Sequence, residues 1–128
     1  MSLHVTRGAC FAALFFLAAG LSAAEADAAS VARGQTLYLA HCTICHGVAG
    51  AGVKGTYPPL AGSDWLAANR REAIRAVVGG LKSEIVVNGE TYNGLMPAII
   101  IDDAQVADTL TFVLNSWGNS GESVTVEE

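Results

Sequence analysis

Cys42-Thr43-Ile44-Cys45-His46 reads C-x-x-C-H, and this run decides how the whole chain is understood. Thiols at this spacing stand about one helical turn apart, so both can reach one side of the same planar group. The imidazole that follows falls beneath the centre of that group. Such spacing is the attachment signal for haem c, with both thiols bonded to the porphyrin and His46 offered to the iron. Two other readings of paired thiols compete. A zinc site needs four ligands, usually two such pairs, and the sequence holds no second pair. A thioredoxin-type dithiol follows a strand in a βαβ unit, whereas the residues before Cys42 read as helix.

The rest of the chain fits an exported, single-domain protein. Its 128 residues suggest one domain. Residues 1–28 read as a signal peptide: Arg7 supplies charge, residues 9–21 are apolar, and small residues follow. Ser22-Ala23-Ala24 and Ala26-Asp27-Ala28 are alternative cleavage sites, after Ala24 or after Ala28. The apolar run is shorter than the roughly 20 residues that span a bilayer. The expectation is a periplasmic protein with no stable membrane insertion once the leader is cut. Cys10 precedes most of the apolar run, which does not suit a lipidation site, and it would leave with the leader. Of the three cysteines, the two that remain are Cys42 and Cys45, so no structural disulfide is available. A mature domain of about 100 residues has limited core capacity, and a covalently held apolar cofactor compensates. The net charge of −5 argues against nucleic acid, which selects a basic face. A monomer is expected.

Residues 29–128 form the folded unit. Residues 30–41 suit a helix capped by Ser30, with Gly34, Tyr38 and Cys42 on one face. Gly34 in a helix interior costs about 1 kcal/mol against Ala, which close approach by another helix offsets; a frayed first turn is the alternative. Residues 47–62 are glycine-rich and irregular, and Pro58-Pro59 excludes helix. A helical turn is expected over 64–68, then a helix from Asn69 to about Leu81. Ile74, Val77, Val78 and Leu81 form its inner side, and Arg70, Arg71 and Arg75 its outer face. Residues 85–92 read as a hairpin about Asn88-Gly89, which tolerates the positive φ of a type I′ turn. The clearest helix covers residues 102–117, opened by an Asp102/Gln105 capping box and ended by Gly118. Its apolar stripe is Val106, Leu110, Val113, Leu114 and Trp117. Residues 119–128 are a polar tail, either disordered or a small strand.

The second axial position of the iron decides what the haem can do. Met96, in Asn93-Gly94-Leu95-Met96-Pro97, is the one methionine beyond the leader. Thioether sulfur suits haem iron and, paired with imidazole, raises its potential. Core filling is the competing role, but Gly94 and Pro97 place Met96 in a loop. His41 adjoins Cys42 and is tied to the wrong face, and Lys54 and Lys82 would have to lose a proton to bind. An iron-bound histidine usually donates its other N–H to an acceptor. The carbonyls around Pro58-Pro59 suit that role, stiffening of the loop being the alternative. Trp65 and Tyr92 carry polar groups that could meet haem propionates, or simply pack.

Together these residues resemble the class I c-type cytochromes over residues 30–118. Gly34, Tyr38, Cys42, Cys45 and His46 are similar to that family's first helix and haem motif. Pro58 and Leu60 resemble its Pro-x-Leu segment, whose proline carbonyl holds the ligand histidine. Met96-Pro97 resembles its distal ligand, and Phe112 the aromatic at the helix crossing near Gly34. The resemblance implies an all-α cytochrome c fold: terminal helices crossing, one middle helix, a short hairpin, and loops around one covalent haem. Tyr57-Pro58-Pro59-Leu60-Ala61-Gly62 and Leu114-Asn115-Ser116-Trp117-Gly118-Asn119 resemble a bacterial subgroup serving periplasmic reductases and dehydrogenases, nitrite reductases among them.

The implied role is single-electron transfer, not catalysis, with a periplasmic reductase or dehydrogenase or a membrane respiratory complex as partner. Mitochondrial-type members carry a lysine-rich ring that this sequence lacks. Residues 98–101 instead form an apolar run beside the expected haem edge, which predicts a docking face more apolar than charged. Two alternatives stay open. One is a dedicated cytochrome subunit or maturation partner of a larger oxidoreductase. The other is a haem enzyme or gas-binding protein with a labile distal ligand, for which the sequence offers no distal acid–base group beyond His41.

Overall fold

A computed structural model describes residues 26–128. All but the last three residues of the expected leader, Arg7 and Cys10 included, lie outside the described residues. The elements are α1 (Ala28–His41), α2 (Thr43–His46), α3 (Asp64–Ala68), α4 (Arg70–Gly79), strands β1 (Ile85–Val87) and β2 (Glu90–Tyr92), and α5 (Asp103–Leu114). No described helix is long and apolar enough to cross a membrane.

The crossing of α1 with α5 organises the core. Gly34 is buried in α1, and a Cβ added there would stand 1.9 Å from the Asp108 carbonyl oxygen and 2.8 Å from Phe112 Cβ. Only a residue without a side chain permits that approach. Tyr38, fully buried one turn on, packs against Phe112 and Trp117, with ring centroids at 5.4 and 5.2 Å. Val106, Leu110, Val113 and Leu114 complete the α5 side of the core. Beside the crossing, Asp108 accepts from Arg33 Nε at 2.6 Å, from Arg33 Nη2 at 2.9 Å and from Ser30 Oγ at 2.6 Å. The Arg33 guanidinium holds the Asp108 carboxyl below the usual carboxylate range.

That use of Ser30 corrects its expected role as a cap. The helix opens two residues earlier, and the Asp27 carboxylate accepts from Ala29 N–H at 3.2 Å. At α5 the capping box forms as expected: Asp102 Oδ1 accepts from Gln105 N–H, and Gln105 Oε1 from Asp102 N–H. The helix stops at Leu114, short of Trp117, because Asn115 closes it and Trp117 turns into left-handed backbone, φ 52°.

Three further expectations are corrected. In α4 Val77 is buried and Ile74 packs against the core as expected, but Val78 is exposed and the small Ala73 and Ala76 are buried instead. Arg70 is not on the outer face. Its guanidinium donates to both Glu128 carboxylate oxygens, to Glu122 and to the Ser123 carbonyl. The tail is accordingly neither loose nor a strand. It folds back so that Val124 is buried and its N–H donates to Thr111 Oγ1 at 2.9 Å.

The hairpin forms about Asn88 (φ 51°) and Gly89 (φ 80°), pairing Ile85 with Tyr92 and Val87 with Glu90. Further out on the same register, Leu81 and Met96 exchange two backbone hydrogen bonds of 2.9 Å. The turn chemistry at residues 88–89 therefore fixes where Met96 stands in the fold.

Candidate haem-binding site

The C-x-x-C-H run leaves α1 at His41 and continues as the short α2. Backbone N–H groups of Cys45 and His46 both donate to the Cys42 carbonyl, so Cys42 and Cys45 stand on one turn. The Tyr38 hydroxyl holds the exit of that turn, donating to the Gly47 carbonyl at 2.6 Å. Burial pushes the Tyr38 phenol up to about 12. It stays protonated and keeps donating at any ordinary pH.

His46 is buried, and its Nδ1 lies 2.9 Å from the Pro58 carbonyl. A carbonyl can only accept, so Nδ1 carries the proton and the Nε2 lone pair is free. Burial, partly opposed by this hydrogen bond, lowers the His46 pKa and favours the neutral ring. The acceptor is itself held at close quarters. A Cβ on Gly52 would stand 2.3 Å from the Tyr57 carbonyl oxygen and 2.7 Å from that of Pro58. Any side chain at residue 52 would push the loop away from the imidazole.

Cys42 and His46 line a cleft of two joined lobes. The outer one, with about 780 Å³ of free space open to solvent, is walled by Cys45, Tyr57, Leu81, Ile85, Tyr92, Leu95 and Met96. The inner one runs between Leu60, Trp65, Ala73, Ala76, Val77, Val87 and Leu110. Cys42, His46, Pro58, Leu81, Ile85 and Met96 belong to both. The walls of both lobes are almost wholly apolar, as in pockets that bind small organic cofactors.

The structure therefore brings Cys42, Cys45, His46, Pro58 and Met96 into one cleft. His41 is exposed on its lip. Lys54 pairs with Glu90 at 3.5 Å, and Lys82 is exposed. Trp65 stands on the inner wall and Tyr92 on the outer. An apolar cleft floored by two thiols and an imidazole suits a covalently tethered porphyrin, with the free Nε2 lone pair available to iron.

The family profile "Cytochrome c" matches residues 31–117. The chain belongs to the cytochrome c family. Its haem c is covalently attached, and members act as electron carriers. A cytochrome c-552 of Thermus thermophilus is 34% identical over 111 residues, which is 83% of this chain and 70% of that protein. The CcoP subunit of a cbb3-type cytochrome c oxidase from Azospirillum sp. B510 is 36% identical over 77% of this chain and 32% of its own length. The cytochrome c subunit of a quinone alcohol dehydrogenase from Gluconobacter oxydans is 32% identical over 68% and 19%. The cytochrome fold explains the close crossing at Gly34 and the hairpin leading to Met96.

Sequence reasoning misses two anchors of the cytochrome's site. It places Tyr38 on a helix face but does not join its hydroxyl to the Gly47 carbonyl. Gly52 is one glycine among several in the loop. A positional signal exists for Tyr38, which lies one helical turn before Cys42 on the face that the motif continues. Nothing local marks Gly52, because its neighbours come from residues 57 and 58 across the loop.

Proposed function

We propose that this cytochrome is a periplasmic single-electron carrier in which Cys42 and Cys45 tether the haem and His46 and Met96 are its two axial ligands. The observation that carries the reading is the 2.9 Å contact from His46 Nδ1 to the Pro58 carbonyl, which leaves Nε2 free within a cleft that Met96 also lines. Bound haem supplies the redox couple. The chain's residues supply everything around it. Pro58 fixes the imidazole tautomer and orientation and raises its basicity. Leu81 pins the Met96 backbone through both its N–H and its carbonyl, and the apolar walls keep water from the buried face. With both axial positions filled, no site remains for substrate, which favours electron transfer over catalysis. Trp65 and Tyr92 are the candidates for propionate contacts.

The partner is proposed to be a membrane oxidase or a periplasmic dehydrogenase or reductase, met through the rim of the outer lobe. Ile44 and Leu95 on that rim are 89% and 64% exposed, and Ile100 in the following run is 92% exposed. Their exposure supports an apolar docking face. A second reading is favoured by the likeness to oxidase and dehydrogenase subunits: a dedicated cytochrome subunit held by a larger enzyme. Co-purification with that enzyme separates it from a free carrier.

The test of ligation is spectroscopic. The ferric protein should be low-spin with a sulfur-to-iron charge-transfer band, and Met96→Ala should abolish the band and leave the iron high-spin or water-ligated. A band that survives Met96→Ala refutes the assignment.

A further inference from the structure

The Pro58 carbonyl is only as well placed as the backbone that follows it, and residues 58–62 have no regular structure of their own. One side of that segment is held by the Gly50 carbonyl, which accepts from Leu60 N–H at 2.7 Å and Ala61 N–H at 2.9 Å. The other side is held by one side chain. Asn119 Nδ2 donates to the Leu60 carbonyl at 3.0 Å and to the Val113 carbonyl at 2.9 Å. Its Oδ1 accepts from Gly62 N–H at 2.9 Å. Two carbonyls facing the amide nitrogen and an N–H facing the oxygen settle which way the amide points. One amide thus joins the segment after Pro58 to the last turn of α5.

The backbone that delivers Asn119 is strained. Trp117 adopts φ 52°, which is costly for a bulky residue. Closing α5 does not require this, because the Asn115 side chain already donates to the Thr111 and Glu122 carbonyls. The strained turn instead seats the Trp117 ring beside Gly50, on the loop that also holds Leu60, and presents Asn119 to Leu60 and Gly62.

We infer that Asn119 is a positioning residue for His46: it holds the 60–62 backbone so that the Pro58 carbonyl stays on Nδ1. This rests on the reading of His46 as an axial ligand. Losing Asn119 loosens the acceptor, frees the ring N–H and changes the basicity of the imidazole. Replacing a direct outer partner of a metal-bound histidine commonly costs 10–100-fold in metal affinity or activity.

The test uses the ferrous holoprotein and follows exchange of the His46 Nδ1 proton with solvent by NMR, together with the reduction potential. Asn119→Ala should accelerate exchange several-fold and shift the potential. Asn119→Asp keeps the acceptor for Gly62 N–H but sets a carboxylate oxygen against the Leu60 and Val113 carbonyls; it should accelerate exchange at least as much, and it stands alone if the alanine variant does not fold. Val124→Ala removes a buried side chain of the same tail without touching residues 58–62, and should leave exchange within about twofold of wild type. If both Asn119 variants exchange like Val124→Ala, the inference is wrong while the ligand assignment stands. If wild-type His46 shows no haem-shifted resonances, the ligand assignment fails and takes this inference with it.

Discussion

Gly34→Ala is the sharpest test of the helix crossing, because helix propensity and packing predict opposite signs. In an isolated helix the change stabilises by about 1 kcal/mol. In this fold the new Cβ would stand 1.9 Å from the Asp108 carbonyl oxygen, against 3.4 Å or more for ordinary contact, a shortfall of about 1.5 Å. The obstructing atom is backbone, so no rotamer change relieves it. The surrounding groups resist a shift of α5, since Asp108 is fixed by Arg33 and Ser30 and Phe112 by Tyr38 and Trp117. Overpacking of this kind costs about 1–3 kcal/mol, occasionally more, and a backbone clash belongs at the upper end. After the propensity gain, a net loss of about 2 kcal/mol is expected. For a domain of this size that lowers Tm by roughly 8–16 °C.

Gly79→Ala is the matched control. It lies in the last turn of α4, and an added Cβ there meets nothing within 4 Å. It should stabilise by about 0.5 kcal/mol. Guanidinium unfolding of both holoproteins, fitted with a common m value, measures the difference. Gly34→Ala at or above wild-type stability would refute the close crossing. Equal losses in both variants would show that glycine matters here for reasons other than space.

Three further outcomes follow from other parts of the structure. Electron transfer to the partner should fall by less than about threefold between low and physiological ionic strength, because the exposed rim is apolar; a steep drop would show that charge steering dominates. Glu128 is held at about 2, below its ordinary 4.5, chiefly by hydrogen bonds from Arg70, so its contribution is complete above pH 4.5 and is lost as pH falls toward 2. Glu128→Gln should therefore be somewhat less stable than wild type at neutral pH, with the difference closing across that window in acid-unfolding curves; a constant difference would count against the ion pair. A mature chain beginning at Ala29 loses the Asp27 cap and the Asp27 carbonyl that accepts from Val31 N–H. It should unfold about 1 kcal/mol more easily than one beginning at Glu25, and equal stability of the two purified forms would show that the cap contributes nothing.

What the sequence disclosed and what it hid divide along a physical line. Features whose partners lie within a turn or a loop were legible: the C-x-x-C-H run, the Asp102/Gln105 capping box and the Asn88-Gly89 turn. Each names its own geometry through local chemistry. Features whose partners lie far along the chain were not. Arg70 meets Glu122 and Glu128, Ser30 meets Asp108, and Asn119 meets Leu60 and Gly62. A polar side chain states what it can bond to but not which distant group it will find.

The misreading of α4 follows a different rule. Taking the largest aliphatics as the inner face puts Val78 inside, whereas the structure turns the helix to bury Ala73 and Ala76 with Val77. Those alanines line the inner lobe of the cleft. A helix that packs only against protein is read correctly from its bulkiest residues, because they fill space. A helix that walls a cofactor cleft must leave space, so its inner face is marked by small residues. The same logic holds at Gly52, where the absence of a side chain lets the Pro58 carbonyl reach the imidazole. In such a fold the positions that shape the site are those where the sequence withholds bulk, and hydrophobic periodicity is least sensitive to them.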